Sequence, residues 1–164
     1  MVRYVLLILF FVLAVSPPII AKEPFVERVL VLKSKRELHL IHDGKIFKSY
    51  DIGLGQQPLG HKTQQGDSRT PEGHYVIDYR NPKSKFTLSM HINYPKKNDI
   101  KQARAKGVSP GGDIFIHGLP TGMKDIGSLF RKNDWTDGCI AVSNKNIREL
   151  WYLVENGTPI EIRP

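Results

Sequence analysis

Residues 28–55 read RVLVLKSKRELHLIHDGKIFKSYDIGLG, and the fold is decided there. Arg28–Lys33 and Glu37–His42 are short runs rich in Val, Leu and Ile, joined by Ser34-Lys35-Arg36, and Asp43-Gly44 then leads into Lys45–Ile52. Asp-Gly tolerates the positive backbone angles of a tight turn, so this dipeptide between two such runs predicts a β-hairpin. Gly53-Leu54-Gly55 ends the third run, and the polar, turn-rich stretch Gln56–Pro71 follows. Further along, Gly73–Tyr79 (GHYVIDY), Phe86–His91 (FTLSMH), Asp113–His117 (DIFIH) and Thr158–Ile162 (TPIEI) read as strands. Asp99–Lys106 reads as a short helix closed by Gly107. Ile147, Leu150, Trp151 and Val154 fall at the spacing of a core-facing helical stripe, which Gly157 stops. The sum is a mostly antiparallel β architecture with a helix packed on it.

The chain has 164 residues, 40% apolar, 24% charged and 9% aromatic. That is enough for one domain with a core and too little for two, and it is not the composition of a disordered chain. No internal repeat or low-complexity tract interrupts it. Lys and Arg number 24 against 16 Asp and Glu, a net charge of +8. Such a balance favours anionic partners: nucleic acid, envelope polymers or membrane surfaces.

Residues 1–21 read as a targeting segment. Arg3 supplies a positive start, Tyr4–Val15 is almost unbroken Val, Leu, Ile and Phe, and Ser16-Pro17-Pro18 precedes Ile19-Ile20-Ala21 with its small final residue. This is the pattern of a secretory signal peptide, with an uncleaved membrane anchor as the second reading. Under either reading residues 22–164 form an exported domain, in the periplasm or cell envelope. The chain holds one cysteine, which excludes an internal disulfide framework. Outside the cytoplasm a lone cysteine pairs with another chain or is a thiol kept for its reactivity.

Chemistry concentrates at two places. In Ile114-Phe115-Ile116-His117-Gly118 a strand ends in His-Gly, and in Trp135-Thr136-Asp137-Gly138-Cys139-Ile140 a turn delivers the cysteine into an apolar run. A thiol nucleophile needs a base to take its proton, most often His, and backbone N–H groups aimed at the developing oxyanion. His117 fits the first need, and Gly138 before Cys139 gives the close backbone approach the second requires. Taken singly, Cys139 also reads as a small buried hydrophobe and His117 as a structural histidine.

At these residues the chain resembles the L,D-transpeptidase (YkuD-like) catalytic domains of bacterial cell walls. Their signature is His-Gly on one strand and, later, Ser/Thr-His-Gly-Cys before an apolar residue; here stand His117-Gly118 and Thr136-Asp137-Gly138-Cys139-Ile140. Lys33–Leu40, Gly53-Leu54-Gly55, the Thr70-Pro71-Glu72-Gly73 turn and Gly157-Thr158-Pro159-Ile160 follow the family's order, so the likeness runs from Arg28 to Ile162. Asp137 stands where the family usually has His, and Ala141 where Arg or Asn often follows.

The resemblance implies a single β-sandwich domain with one or two packed helices. It implies a cysteine acyltransferase in which Cys139 is nucleophile and His117 base, Gly118 orients the base through its carbonyl, and Gly138 lies in the oxyanion region. The substrates would be peptidoglycan stem peptides, with an amine (that of an acceptor lipoprotein among the candidates) or water taking the acyl group, and with no metal or organic cofactor. Asp137, His91, Trp135 and Arg131 are candidate substrate contacts, and the segment from Leu119 to Asp134 a wall or lid. Three rivals belong to other classes. A non-catalytic basic wall-binding module would need neither Cys139 nor His117. A zinc hydrolase would use His117, Cys139, Asp137 and His91, without any His-Glu-x-x-His or Cys-x-x-Cys pair. Nucleic-acid binding is disfavoured by export and by the lack of clustered basic and aromatic residues. A membrane would be met only through an uncleaved N-terminal segment.

Overall fold

A continuous apolar run, Val29–Leu32, builds β1 (Arg28–Leu32), and mixed apolar and polar runs build β2 (Glu37–His42) and β3 (Lys45–Asp51). Val29, Val31, Leu38 and Leu40 are wholly buried on one face. The β2–β3 turn sits where Asp43-Gly44 puts it, with φ of +47° and +68° at the two residues. The computed structural model describes residues 25–124 and 133–164, so the N-terminal targeting segment and Arg131 lie outside the described residues.

The remaining elements are β4 (Gly73–Asn81), β5 (Ser89–Ile92), α1 (Lys97–Ala105), β6 (Ile114–His117), β7 (Ile140–Ala141), α2 (Asn144–Leu153) and β8 (Thr158–Arg163). All eight strands belong to one sheet, in the order β3-β2-β1-β8-β4-β5-β6-β7. Pairing is antiparallel except where β8 runs beside β1 and where β7 runs beside β6. The sheet is curled, and its two ends meet. Past β3 the chain crosses to the other edge, where Gly53 exchanges both backbone hydrogen bonds with Ala141 at 2.8 and 2.9 Å. The core fills the curl, with Tyr75, Ile77, Met90, Ile92, Ile116, Ile140 and Ile160 packed against Ile147 and Leu150 of α2.

Two boundaries depart from expectation for local reasons. The Phe86–His91 run begins its strand only at Ser89, because Thr87 takes a left-handed φ of +64° and Leu88 N–H turns back onto the Phe86 carbonyl at 2.7 Å. Helix α1 starts ahead of Asp99, whose carboxylate accepts the Lys96 N–H at 2.7 Å and so caps the first turn. It closes at Gly107 (φ +69°), with Val108 N–H bonded to the Ala103 carbonyl at 3.1 Å. The Ile147, Leu150, Trp151 and Val154 stripe is inward as expected, although the helix proper ends at Leu153.

Lys33, just past β1, is only 2% exposed. Its Nζ donates to the carbonyls of Gly60 and Thr70 at 2.7 and 3.0 Å and to Glu72 at 2.7 Å. Burial lowers its pKa and the Glu72 carboxylate works against that fall. One ammonium thus anchors the 60–72 loop to the sheet. Removing one partner of a buried pair leaves an uncompensated charge and two unsatisfied carbonyls. Lys33→Ala is therefore expected to lower stability by about 3 kcal/mol in urea unfolding. An unchanged midpoint would show the anchor to be idle.

Candidate active site

β6 and β7 run in parallel with Ile116 opposite Ile140 and His117 opposite Ala141. Partners in such a ladder share a face, so the two isoleucines point into the core while Phe115, His117 and Cys139 lie on the other side. The structure thus brings His117 and Cys139 onto one face of adjoining strands. Each is fixed by its own set of contacts.

His117 is 3% exposed. Its ring packs with Phe86, 4.4 Å away between centroids, and with Trp135, met edge-on at 5.7 Å, the three forming one aromatic cluster. Nδ1 lies 2.7 Å from the Gly118 carbonyl. A carbonyl only accepts, so Nδ1 carries the hydrogen and Nε2 keeps a free lone pair. Burial lowers the His117 pKa below its ordinary value, with the Gly118 bond partly opposing it. Gly118 can be nothing larger: a Cβ there would come within 2.7 Å of Asn144 Oδ1 and 2.8 Å of Ile147 Cγ2. Asn144, the first residue of α2, accepts the Leu119 N–H at 2.9 Å and fixes the chain leaving the histidine.

The Cys139 turn is knitted by Thr136, whose hydroxyl accepts from Gly138 N–H at 3.2 Å and donates to the Cys139 carbonyl at 2.7 Å. Thr136 is in turn pinned to the crossing segment, its N–H bonded to Leu54 O at 3.1 Å and its carbonyl to Gln56 N–H at 3.0 Å. Asp134 extends the clamp by accepting Leu54 N–H at 3.0 Å and pairing with Arg36 at 2.6 Å. Gly138 has φ of +126°, and a Cβ there would lie 2.6 Å from the Arg69 carbonyl. Gly55, next to Gly138, would put a Cβ 2.1 Å from the Ser68 carbonyl and 3.0 Å from Gly138 Cα. Two glycines therefore admit the 67–72 loop beside the Cys139 turn. Asp67 stiffens that loop. Burial alone would raise its carboxyl, but Lys62 and the N–H groups of Thr63, Gln64 and Arg69 outweigh it and hold it below the usual range.

Cys139 Sγ accepts the Phe115 N–H at 3.4 Å and faces the Asp113 carbonyl at 3.5 Å, to which its thiol hydrogen donates. Its pKa is pushed up, first by burial and then by the charges of Asp137 and Asp113, against the Phe115 N–H and Lys62. Thiol and imidazole thus both favour their neutral forms, with the thiol hydrogen on the Asp113 carbonyl and the imidazole on the same face of the ladder. A neutral pair can pass a proton to Nε2 as sulfur attacks, with no standing ion pair to desolvate.

Among the other expected residues, Trp135 meets His117, and Asp137 is exposed beside the thiol. His91 sits on β5 directly opposite Phe115, with Nδ1 2.6 Å from Asp78 Oδ1. The zinc set is not brought together as a group. Among the described residues, the His/Cys/Asp/Glu group whose donor atoms lie within 4.8 Å of one another is Glu27, His42 and Asp43. Sequence reasoning missed Phe86, Asp113 and Asn144, and it quoted Thr136 only as part of the motif, without the clamp its hydroxyl makes.

Two pH dependences follow. The raised thiol pKa means that iodoacetamide should alkylate Cys139 slowly at neutral pH, at a rate that climbs past the ordinary thiol value of 9.0. A rate already at its plateau at pH 7 would contradict a neutral resting thiol. For His117 the folded pKa lies below 6.5, so under that pH the unfolded chain binds a proton the folded one resists. Stability should fall as pH drops through 6.5, and His117→Gln should flatten that slope in urea titrations at pH 5 and 7.

Comparison with known proteins supplies the family. Residues 27–162 match the model of the YkuD family, the L,D-transpeptidase catalytic domain. YafK of Escherichia coli (strain K12), a relative named among the L,D-transpeptidases, is 29% identical over 132 residues, which are 77% of this chain and 46% of YafK. The chain thus spans less than half the length of that curated relative. The helical cell shape determining protein Pgp2 of Campylobacter jejuni (K307A mutant) superposes with a TM-score of 0.65 at 26% identity, covering 86% of this chain and 48% of Pgp2. Bd1075 of Bdellovibrio bacteriovorus gives 0.58 at 25% identity, covering 87% of this chain and 50% of its own. With that match running through both strands of the site and the turn between the two glycines, the chain belongs to the L,D-transpeptidase catalytic-domain (YkuD) family.

Proposed function

We propose that this protein is a cell-wall cysteine acyltransferase acting on peptidoglycan stem peptides. The observation that carries the reading is the placement of Cys139 and His117 on one face of the β6–β7 ladder, with His117 Nδ1 tied to Gly118 and Nε2 bare. Cys139 Sγ attacks the carbonyl that follows the diaminopimelate of a stem tetrapeptide, and His117 Nε2 takes the thiol proton. The oxyanion is held by backbone N–H. Gly138 N–H is bonded to Thr136 Oγ1, so Cys139's own N–H is the better placed donor, and Gly138 contributes room. As the C–N bond breaks, His117 returns the proton to the leaving amine, terminal D-Ala, and a thioester remains.

An amine or water then attacks the thioester. His117 removes its proton and delivers it to the departing thiolate, restoring the neutral pair. Transfer to an amine gives a cross-link or a peptide-attached lipoprotein, and transfer to water gives a trimmed stem. Pgp2 is named for helical cell shape, and a role of that kind at the wall suits trimming or cross-linking alike. The N-terminal segment supports an exported protein of the periplasm or envelope, membrane-attached only if that segment is retained. The net charge of +8 suits an anionic polymer.

The test is intact mass after incubation with a carbapenem, whose ring carbonyl stands in for the scissile carbonyl. The protein should gain one opened drug molecule. Cys139→Ala should gain none, and His117→Ala should acylate at least about 100-fold more slowly. A folded wild-type protein that takes up no drug would contradict the reading and favour a non-catalytic wall-binding module.

A further inference from the structure

Across the outer face of the sheet, four register positions line up with the nucleophile. Tyr79 on β4 is opposite His91 on β5, His91 is opposite Phe115 on β6, and the β6–β7 ladder continued by one residue sets Phe115 beside Cys139. The three rings touch. Tyr79 stacks on His91 with centroids 4.6 Å apart and interplanar angle 21°, and Phe115 stands edge-on to His91 at 4.9 Å and to Tyr79 at 5.9 Å. Phe115 N–H completes the row by bonding to Cys139 Sγ.

A fault in the ladder adds charge to this row. The β4–β5 register shifts between Ile77 and Tyr79, so Asp78 and Tyr79 together oppose His91. In a regular strand neighbouring side chains point to opposite faces. The bulge turns Asp78 onto the same face as Tyr79, where its Oδ1 lies 2.6 Å from His91 Nδ1. Asp113, at the head of β6 with φ of +55°, is exposed near the middle of the row, and Asp137 is exposed at its Cys139 end. The Tyr79 hydroxyl is pushed up by burial and then by Asp113 and Asp78, and the Cys139 thiol feels Asp137 and Asp113. Three carboxylates thus flank one aromatic track on a chain whose net charge is +8. Lys62 acts on the thiol in the opposite sense but is paired with Asp67 at 2.8 Å.

We infer that the Tyr79–His91–Phe115 track is a substrate subsite for a peptide bearing a free primary ammonium, held by Asp78, Asp113 and Asp137 over the exposed Tyr79 ring and the half-buried His91 and Phe115 rings. Rings that offer a face and carboxylates at their rim are the two groups that hold an ammonium at a wet surface. Strands lie about 4.8 Å apart, so the track reaches about 14 Å from Cys139, the length of about four extended residues. That matches a short peptide whose reacting carbonyl sits at the sulfur. The inference rests on the peptide-acting reading above and names the residues that select its substrate. An ammonium near the sulfur would also offset the carboxylate charges that raise the thiol.

The experiment titrates full-length Cys139→Ala protein, followed by amide NMR, with a synthetic stem tetrapeptide whose diaminopimelate side-chain amine is free and with the same peptide N-acetylated there. The free peptide should shift Asp78, Tyr79, His91 and Phe115 and bind about tenfold more tightly than the acetylated one. Tyr79→Ala and Asp78→Asn should each erase that preference, while Tyr79→Phe should keep it. Tyr79 is 44% exposed, so its replacement leaves the core intact. Equal binding of the two peptides, binding that leaves the track unshifted, or no binding of either would overturn the inference. Because the Cys139→Ala protein forms no thioester, these results are read independently of drug acylation.

Discussion

Everything at the site depends on a backbone closure. The segment after β3 crosses to the far edge of the sheet, where Gly53 pairs with Ala141 and Leu54 and Gln56 bracket Thr136. β7 is only two residues long and has β6 as its sheet neighbour. Such a strand gains little from its own pairing and would fray without support on its other side. The crossing segment gives that support, and the Asp134–Arg36 pair ties the approach to it. Because the Ser68 and Arg69 carbonyls press against this contact, Gly55 and Gly138 admit no side chain. The position of Cys139 is therefore a property of the closed sheet and not of its own turn alone.

The closure has an electrostatic consequence. Held against β6, Cys139 loses solvent and gains the Asp113 and Asp137 charges, which together favour the thiol over the thiolate. Phe86 and Trp135 exclude water from His117, which favours imidazole over imidazolium. The same burial thus acts on both groups toward neutrality. In the mechanism we propose, reaction would wait for a bound carbonyl to draw the proton from sulfur to nitrogen. A site of this kind is quiet toward small electrophiles and depends on substrate to complete it. Asp137 fits that logic better than a histidine would, because it opposes early ionisation of the thiol.

The parts of this account legible in sequence are those set by neighbours in the chain. Asp43-Gly44 marked the β2–β3 hairpin, and the Ile147–Val154 stripe marked α2, because turn chemistry and helical period act over a few residues. His117-Gly118 and Gly138-Cys139 were visible as chemistry, though their meeting in a parallel ladder is not written near either. What was missed is non-local. Thr87 breaks the Phe86–His91 run so that Phe86 can leave the strand and pack on His117. Asn144 serves Gly118 from a helix far along the chain, and the bulge that turns Asp78 outward depends on how β5 lies against β4. No pattern within a strand announces such placements.

In the proposed mechanism Cys139 and His117 rest as a neutral pair and move a proton as sulfur attacks. The direct measurement is the rate of thioester formation in H2O and in D2O, at matched points on the pH profile. A proton in flight during attack predicts acylation that is clearly slower in D2O, with the effect lost in His117→Ala. An acylation rate indifferent to D2O would mean that the thiolate is already formed before substrate arrives, and would contradict the account.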